Sequence, residues 1–573
     1  MLIAKHGDVA STKGQFPSAT PFGYLLAELM DKPDAHLPGD PAKVVADLDT
    51  LGAAMVDNDA PTASNSTRPP IYTYWGQFID HDMTANTDRA SATSDITKAG
   101  LSPVPPEQVV QNLQNLRRPN LDLDSVYGDG PVFINPRSAD AALYDGPRLR
   151  VGTNSADGIP GVRIPPEDDL HRDLPRIGPL LDEGVITMND VPEGLRDDPN
   201  LRTRPLIGDL RNDENLVVAQ FHTAVLRFHN EVINRVMAEP GRFGVHGQPR
   251  DRDVFRIAQQ LTRFHYQWLV VNDFLKTVLM PSVVDDVLTN GPKFYKPLPG
   301  HQLYMPLEHS VAAYRFGHSM VRGGYDWNRN FGKPAPRQTQ NPLRPFASFQ
   351  LLFQFTGNGF SQDPNDPSKS IRNPFGGAPT LPFNWIAEFD RLTRKGDRDP
   401  AHFARKIDTR LVPPILNMVD EGTNAAIQGD ADRPVRELLR HLARRNLLRG
   451  YSLSLPTGQA AASAMGIAPL SADELRQGNA DAVNGALEQG GFLVNTPLWY
   501  YVLKEAEVRA NGDTLGPLGS RIVAETIVGI VMNDRDSFFN VNGGWNPSMG
   551  VTLPGGGQLQ TIRDFLSFTG VPV

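Results

Sequence analysis

The chain has 573 residues, a formal net charge of −9, 21% charged residues and no cysteine. The negative balance excludes the basic surface on which nucleic-acid binding depends. The lack of cysteine excludes disulfides, thiolate nucleophiles, zinc–thiolate sites and iron–sulfur clusters.

The predicted fold class follows from glycine and proline content and from periodicity. The 50 prolines and 51 glycines exceed average usage of about 7% glycine and 5% proline, which predicts long ordered loops. Apolar residues recur with a helical period over 215–238 and 252–278, whereas the alternation typical of strands is scarce. We therefore predict a mainly α fold, a single large helical domain with little β structure.

Two observations bear on where the protein resides. No apolar run reaches the roughly 18 residues of a membrane span, and Met1–Asp8 lacks the apolar core of a signal peptide. We expect a soluble protein without a membrane span, either cytoplasmic or exported without a cleavable signal peptide.

The segment Trp75–Asp82, WGQFIDHD, concentrates an amide, two carboxylates and an imidazole. In a helix each residue advances about 100° around the axis, so Gln77 and His81 share one face with Asp80 beside them. Asp82 then points elsewhere, and one turn can serve an acid/base pocket on one side and a cation on the other. The alternative is an ordinary solvated helix face.

A second polar segment spans residues 118–128. Asp122 and Asp124 alternate with leucines, so both carboxylates project to one side, and hard oxygen donors of this kind suit Ca²⁺. The segment is not an EF-hand, because the glycine and the terminal glutamate that an EF-hand requires are misplaced. The alternative is a polar turn before a strand or a helix.

Three later segments carry further candidates. Arg211 and Glu214 are three residues apart and can share a face where a helix begins, or they can form an exposed ion pair there. His318 follows Gly317 on an apolar helix, where a glycine lowers helix stability by about 1 kcal/mol relative to alanine. A flat macrocycle lying against the backbone would explain the glycine. The alternative is an ordinary buried histidine of the core. Asn446 follows an Arg-rich helix that runs to about residue 445, and the alternative is a C-cap.

The sequence lacks HExxH, P-loop, GxGxxG and GxSxG motifs. His222 and His229 lie on the 215–238 helix, and we expect them to form hydrogen bonds within the core rather than to bind a metal.

In order and spacing, these segments resemble the animal-type haem peroxidases of the peroxidase–cyclooxygenase superfamily. WGQFIDHD is similar to the distal helix of that family, and 118–128, ending in Val-Tyr-Gly, is similar to its calcium loop. Arg211-x-x-Glu214 resembles the distal arginine and haem-linked glutamate, and Tyr314–His318 resembles the proximal helix. The resemblance covers about 66–545, and the absence of cysteine fits a bacterial branch.

The resemblance implies a domain organisation. A haem peroxidase catalytic domain would occupy 66–545, with an N-terminal extension over 1–65 packing on it and a C-terminal tail over 546–573.

The resemblance also implies roles around a haem b held between two histidines. His81 would be the distal base that takes a proton from H₂O₂ and returns it to the departing oxygen. Arg211 would stabilise the charge that develops as the O–O bond breaks, and Gln77 would order the distal water. His318 would be the axial iron ligand, and Asn446 would accept the other imidazole N–H.

Two further groups of residues match the family. The implied Ca²⁺ ligands are carboxylates and main-chain carbonyls: the side chains of Asp82, Asp122 and Asp124, and the carbonyls of Arg118 and Asn120. The two carboxylates that match those forming ester links to haem methyl groups are Asp80 and Glu214. Covalent attachment of haem b is thus a hypothesis.

The implied function is a peroxidase that reduces H₂O₂ through a ferryl-oxo intermediate. It would oxidise small organic donors or easily oxidised halides and pseudohalides, namely bromide, iodide and thiocyanate. Asn215 stands where the strongest halide oxidisers of the family carry a haem-linked methionine, so chloride oxidation is not expected.

Two alternatives remain open. A fatty-acid dioxygenase of the same superfamily carries a radical-forming tyrosine three residues before the proximal histidine, but here that position is Arg315 and Tyr314 is four before. A non-catalytic haem-binding sensor or scaffold would have no need for the pair His81 and Arg211.

Overall fold

The computed structural model describes most of the chain, and the structural statements below refer to that part. The described residues are 20–57, 65–85, 93–138, 140–156, 158, 169–191, 193–333, 346–362, 370–393, 403–418, 433–541 and 543–573. The segment Met1–Asp8, considered above for a signal peptide, lies outside them.

Helices supply most of the regular structure. In the first half of the chain the α-helices are α1 (Pro41–Ala54), α2 (Ile71–Met83), α3 (Pro106–Asn112), α4 (Asp124–Tyr127), α5 (Ile177–Asp182), α6 (Leu216–Ala238), α7 (Asp251–Leu269), α8 (Leu275–Val278) and α9 (Pro281–Asn290). In the second half they are α10 (Phe349–Gln354), α11 (Phe389–Thr393), α12 (Arg433–Arg440), α13 (Leu442–Ser452), α14 (Gly458–Ala464), α15 (Ala472–Arg476), α16 (Asp481–Gln489), α17 (Leu498–Ala510), α18 (Pro517–Asn533) and α19 (Ile562–Phe568).

The strands are short. They are β1 (Thr20–Gly23), β2 (Gln114–Asn115), β3 (Tyr144–Asp145), β4 (Arg148–Leu149), β5 (Met305–Pro306), β6 (Gly324–Tyr325), β7 (Ala347–Ser348), β8 (Phe360–Gln362) and β9 (Ser370–Arg372). They form a three-stranded sheet in the order β2-β1-β5 and three two-stranded pairs. The prediction of a mainly α fold with little β structure is confirmed.

The helix predicted over 252–278 is present but not uniform. Helix α7 continues into a π-helical turn at Val270–Phe274 and then into α8. A π-turn widens the helix locally and re-aims the side chains that follow it. Here it directs Phe274 against Trp75 of α2, with ring centroids 5.2 Å apart.

One large apolar core joins distant parts of the chain. A continuous cluster of buried apolar side chains extends from Phe22 to Val571. Helix α6 lies at its centre, where Phe78 of α2 packs edge-on against Phe221 at 5.0 Å and Phe565 of α19 stacks on Phe228 at 4.0 Å. The core therefore fixes α2 against α6, which is the first step in building the site.

None of the helices in the described ranges combines the length with the apolar character that crossing a bilayer would require.

Candidate active site

The face of α2 that the sequence predicted is turned toward the 210–215 segment. Gln77 Nε2 donates to Glu214 Oε1 at 2.6 Å, and Gln77 Oε1 accepts from Asn215 Nδ2 at 3.0 Å. His81 Nδ1 lies 2.9 Å from Asn212 Oδ1. The 100° spacing of a helix thus brings Gln77 and His81 to the same polar segment, as the sequence indicated.

Asn212 stands between two buried imidazoles. Its Oδ1 meets His81, and its Nδ2 lies 2.9 Å from His222 Nδ1. All three side chains have zero exposure. Burial lowers the pKa of His222 to about 3, so that ring is neutral. His222 therefore forms a core hydrogen bond, as predicted, while Asn212 is a site residue that the sequence interpretation missed.

Arg211 is held by a carboxylate that the sequence interpretation also missed. Its Nη2 donates to the His81 carbonyl at 2.9 Å and to Asp209 Oδ2 at 2.7 Å, and its Nε donates to the same carboxylate at 3.1 Å. Burial acts to lower the pKa of Arg211, but attraction to Asp209 outweighs it and raises the pKa above its ordinary value. Asp209 is buried and also pairs with Arg117 Nη2 at 2.6 Å.

The local backbone explains how these side chains converge. Leu210–Asp213 forms a 3₁₀ turn whose N-cap is Asp209, and α6 begins only at Leu216 with Asn215 as its N-cap. Arg211 and Glu214 thus lie just before α6 begins, and the tighter turn directs Arg211 and Asn212 toward α2.

His318 lies on a neighbouring element. It ends a 3₁₀ turn, Ala313–His318, that follows a π-helical turn at Glu308–Ala312, so the expected regular apolar helix was wrong. Tyr314 Oη donates to the Gly76 carbonyl of α2 at 3.3 Å. A Cβ atom at Gly76 would lie 3.1 Å from Phe274, so glycine permits this close packing.

Asn446 contacts His318, but with its amide reversed from the expectation. Asn446 Nδ2 lies 3.1 Å from His318 Nδ1, and its Oδ1 accepts from Arg315 Nη1 at 3.0 Å. The guanidinium only donates, so it draws the carbonyl oxygen toward itself. The predicted pairing of the two residues is present, whereas the predicted acceptor role of Asn446 requires the amide to turn over.

The position of Asn446 in its helix also differs from the expectation. The Arg-rich helix ends at Arg440, and His441 caps a new helix, α13, by accepting from the Arg444 N–H at 3.5 Å. Asn446 lies in the second turn of α13 and is fully buried. It is therefore neither beyond the helix nor a C-cap.

The other side of α2 carries three carboxylates. Oxygens of Asp82, Asp122 and Asp124 all lie within 4.8 Å of one another. Burial, reinforced by the charges of Asp124 and Asp122, raises the pKa of Asp82 to about 8, and burial raises that of Asp124 to about 6. Asp124 Oδ2 is buried without a hydrogen bond. A divalent cation with oxygen ligands is the group that such a cluster fits.

The backbone of the 118–128 segment is shaped around Asp82. Asp82 accepts from the Leu123 N–H at 3.1 Å and from Ser125 Oγ at 3.0 Å. Leu121 and Leu123 have φ of 53° and 59°, a region that non-glycine residues rarely adopt and that clusters at ligand sites.

The Arg118 side chain and the Asn120 carbonyl both have protein partners. The guanidinium of Arg118 pairs with Asp122 at 3.0 Å, and the Asn120 carbonyl accepts from Gln267 Nε2 at 3.3 Å. A carbonyl oxygen has a second lone pair, so a cation could share the Asn120 oxygen. The carbonyl ligands remain predictions.

The residues present fit a haem group. His81 engages Asn212 and His318 engages Asn446 through Nδ1, so Nε2 is the atom of each ring that would address a cofactor, at His318 once the Asn446 amide has turned over. A Cβ atom at Gly317 would meet nothing within 4 Å, so there is space against the backbone beside His318. One imidazole to ligate iron, and a second one on a residue whose main-chain carbonyl holds a guanidinium, form a donor set that suits a haem.

Comparisons with known proteins agree with this arrangement. Residues 184–356 match the family model for animal haem peroxidase. The chain is 28% identical over 284 residues to a peroxidase-like protein of Margaritifera margaritifera, covering 46% of this chain and 33% of that protein. It is 24% identical over 322 residues to myeloperoxidase of Mus musculus, covering 50% and 41%. The chain thus spans less than half the length of these two relatives.

A solved structure shares the fold. Peroxidase A from Dictyostelium discoideum aligns with a TM-score of 0.54 at 15% identity, covering 93% of this chain and 91% of that one.

Proposed function

We propose that this chain, which belongs to the peroxidase–cyclooxygenase superfamily, is a haem-dependent peroxidase that reduces H₂O₂ and oxidises small electron donors. The observation that carries the proposal is a pair of contacts. Arg211 binds the main-chain carbonyl of His81, and His318, on the turn Ala313–His318, pairs with Asn446. A base, a fixed cation and an anchored imidazole are the groups that peroxide cleavage on a haem needs.

The cofactor would be haem b. When bound, it would supply the iron and the conjugated ring that take up the oxidising equivalents of peroxide. His318 would hold the iron through Nε2, and Asn446, with its amide turned over, would accept the Nδ1 hydrogen and so fix the ring.

His81 and Arg211 would divide the work on peroxide. His81 Nε2 would accept a proton from the inner peroxide oxygen and deliver it to the outer oxygen, so that water leaves. The Arg211 guanidinium would donate to the charge that develops as the O–O bond breaks, and Asp209 holds that guanidinium in a fixed plane. Gln77, itself held by Glu214 and Asn215, would order a water beside them.

Ca²⁺ would occupy the carboxylate cluster of Asp82, Asp122 and Asp124, with the carbonyls of Arg118 and Asn120 completing the site. Asp82 is the next residue after His81 in α2, so a bound cation would hold the turn that carries the base. The ion would thus act on catalysis through position rather than through chemistry.

Covalent attachment through Asp80 and Glu214 is part of the proposal. Glu214 is fixed by Gln77, and the charge of Asp80 acts on both Arg211 and Tyr314, which supports placing both carboxylates at the site. Acid-acetone extraction of peroxide-treated protein tests the links. We expect haem to stay with the polypeptide, and its complete removal would exclude ester bonds.

The donors would be small organic molecules or bromide, iodide and thiocyanate. Asn215 caps α6 and donates to Gln77, so this position serves the distal hydrogen-bond network and offers no thioether to a haem. Chloride oxidation is therefore not expected. The absence of cysteine favours a bacterial branch of the family.

The deciding experiment is an absorption spectrum followed by a stoichiometric H₂O₂ titration. We expect a Soret band that changes on addition of peroxide and returns when a phenol or iodide is added. A preparation supplied with haem that shows no Soret band would exclude the proposal, and a band unaltered by peroxide would indicate an inert haem carrier. Incubation with linoleate and O₂, followed by product analysis, tests the dioxygenase alternative.

A further inference from the structure

We propose that Asn212, backed by His222, is a positioning residue that fixes His81 in the Nδ1–H tautomer and thereby keeps its Nε2 atom as the base. This inference rests on the proposed function, because it concerns the proton transfer that His81 would perform there. Nothing in the resemblance to other proteins assigns a role to this residue.

The inference comes from the chemistry of a single amide between two rings. The Asn212 carbonyl can only accept, so the His81 nitrogen at 2.9 Å must carry the hydrogen. The Asn212 NH₂ group can only donate, so the His222 nitrogen at 2.9 Å must carry a lone pair. Each bond therefore specifies the protonation of the ring it meets.

The orientation of the amide determines which His81 nitrogen can act. Were the amide turned over, His81 Nδ1 would face an N–H donor and its hydrogen would move to Nε2, the atom that must be free to take a proton. All three side chains are fully buried, so bulk water does not compete for these bonds. His222 thus acts on His81 through Asn212.

Asp209 acts electrostatically on both His81 and His222, and Arg211 binds that carboxylate. Asp209 and Arg211 are unchanged in the variants below, so a change at Asn212 alone should reveal its effect on His81.

Two variants separate the hydrogen bond from the fold. Asn212→Asp keeps an acceptor oxygen facing His81 Nδ1 and should preserve the tautomer. Asn212→Leu removes the acceptor and releases the tautomer. We expect a roughly 10- to 100-fold slower reaction with peroxide in Asn212→Leu, the range for loss of a supporting hydrogen bond to a functional histidine.

Cyanide binding to the ferric holoprotein at one fixed pH measures the base without turnover. Hydrogen cyanide must give its proton to the distal base, so the cyanide profile, the association rate against cyanide concentration, reports whether His81 Nε2 can accept. We expect a shallower profile in Asn212→Leu and a profile close to that of the wild type in Asn212→Asp. Damage to the fold alone would lower the rate in both variants.

Thr223→Val is the matched control. Thr223 is buried next to His222 on the same helix, and its hydroxyl donates to the Ala219 carbonyl at 2.9 Å. The substitution is nearly isosteric and should leave the cyanide profile unchanged. If both Asn212 variants also keep the wild-type profile, the inference is wrong while the proposed peroxidase function stands.

A second measurement judges the inference if the protein takes up no haem and the proposed function fails. Ring ¹⁵N shifts of selectively labelled histidines report the tautomer in the haem-free chain, and His81→Gln identifies the His81 signals. We expect the Nδ1–H pattern in the wild type and its loss in Asn212→Leu. An Nε2–H pattern in the wild type, or the same pattern in both proteins, would overturn the inference.

Discussion

At the scale of single residues, Asp209 connects the two polar sides of α2. It is fully buried between the guanidiniums of Arg211, which reaches the His81 carbonyl, and Arg117, which also lies 3.4 Å from Asp124. A continuous set of charge-assisted contacts thus runs from the carboxylate cluster to the proposed peroxide pocket. Removing one member of such an arrangement is strongly destabilising, because the remaining buried charges are left without compensation.

Asp209→Asn should therefore be costly. It leaves Arg117 and Arg211 buried with one negative partner fewer, and we expect a loss of about 3–5 kcal/mol in the free energy of unfolding, together with slower reduction of H₂O₂. Denaturant unfolding measures the first effect. Asp253→Asn removes the partner of the exposed Arg250 and should leave the unfolding midpoint unchanged; equal effects of the two variants would show that Asp209 is not a structural anchor.

At the scale of elements, α2 and the 118–128 segment act as one unit. Asp82 accepts from two groups of that segment, and a cation bound by Asp82, Asp122 and Asp124 would draw both elements together. We expect Asp82→Ala, or removal of Ca²⁺, to reduce peroxidase turnover more than helical content. Parallel assays of turnover and far-ultraviolet circular dichroism test this, and an Asp82→Ala variant with full activity would contradict it.

The effect of the cation should depend on pH. The pKa values of Asp82, about 8, and Asp124, about 6, lie above the ordinary value, so the cation-free folded state binds more protons than the unfolded chain. Its stability then falls as pH rises through 6 to 8. Ca²⁺ replaces those protons, so its stabilising effect should grow over the same range.

Thermal unfolding with and without Ca²⁺ between pH 5.5 and 8.5 measures this dependence. A shift of Tm that increases with pH is expected for the wild type, and Asp82→Asn should show a smaller one. A Ca²⁺ effect that stays constant across this range would indicate binding elsewhere.

Glycines in the helices test the packing at the same scale. In α18, a Cβ at Gly529 would lie 2.7 Å from the Tyr295 ring, whereas one at Gly485 in α16 would meet nothing within 4 Å. Gly529→Ala should destabilise by about 1–3 kcal/mol through overpacking, and Gly485→Ala should stabilise by up to about 1 kcal/mol. Urea unfolding of both variants measures the sign of each change in the free energy of unfolding. A stabilised Gly529→Ala variant would contradict the close packing described at Gly529.

At the scale of the whole molecule, the first strand and the last helix of the described residues join the core that supports the site. Strand β1 pairs with β5, which lies just before the turns Glu308–Ala312 and Ala313–His318. Glu308 accepts from the Leu25 and Leu26 N–H groups. Helix α19 packs against α6, which carries His222. The boundaries predicted at residues 65 and 545 remain predictions.

Phe565→Ala should therefore destabilise the entire domain. Phe565 is 1% exposed and stacks on the fully buried Phe228, so its loss should cost about 3–5 kcal/mol. Met549→Ala, at a side chain that is 56% exposed, is the control and should be nearly neutral. The unfolding of both variants is followed by circular dichroism and by Soret absorbance. If Phe565→Ala changes the unfolding midpoint in neither signal, α19 is peripheral to the stability of the domain.

The sequence by itself determined the features that depend on local spacing. The helical conformation of Trp75–Asp82 and the division of its polar residues between two faces were predicted and are present within Ile71–Met83. Both follow from the 3.6-residue period, which neighbouring residues fix on their own.

Only the tertiary structure decided which partners complete the site. Asn212, Asp209 and Arg117 have ordinary local roles in the sequence, and the 3₁₀ turn at Ala313–His318 and the reversed amide of Asn446 had no local signal. Their contacts join segments far apart in the chain, so they form only when α2, α6 and α13 pack. Burial then makes each hydrogen bond obligatory, because a polar group removed from water must find its partner within the protein.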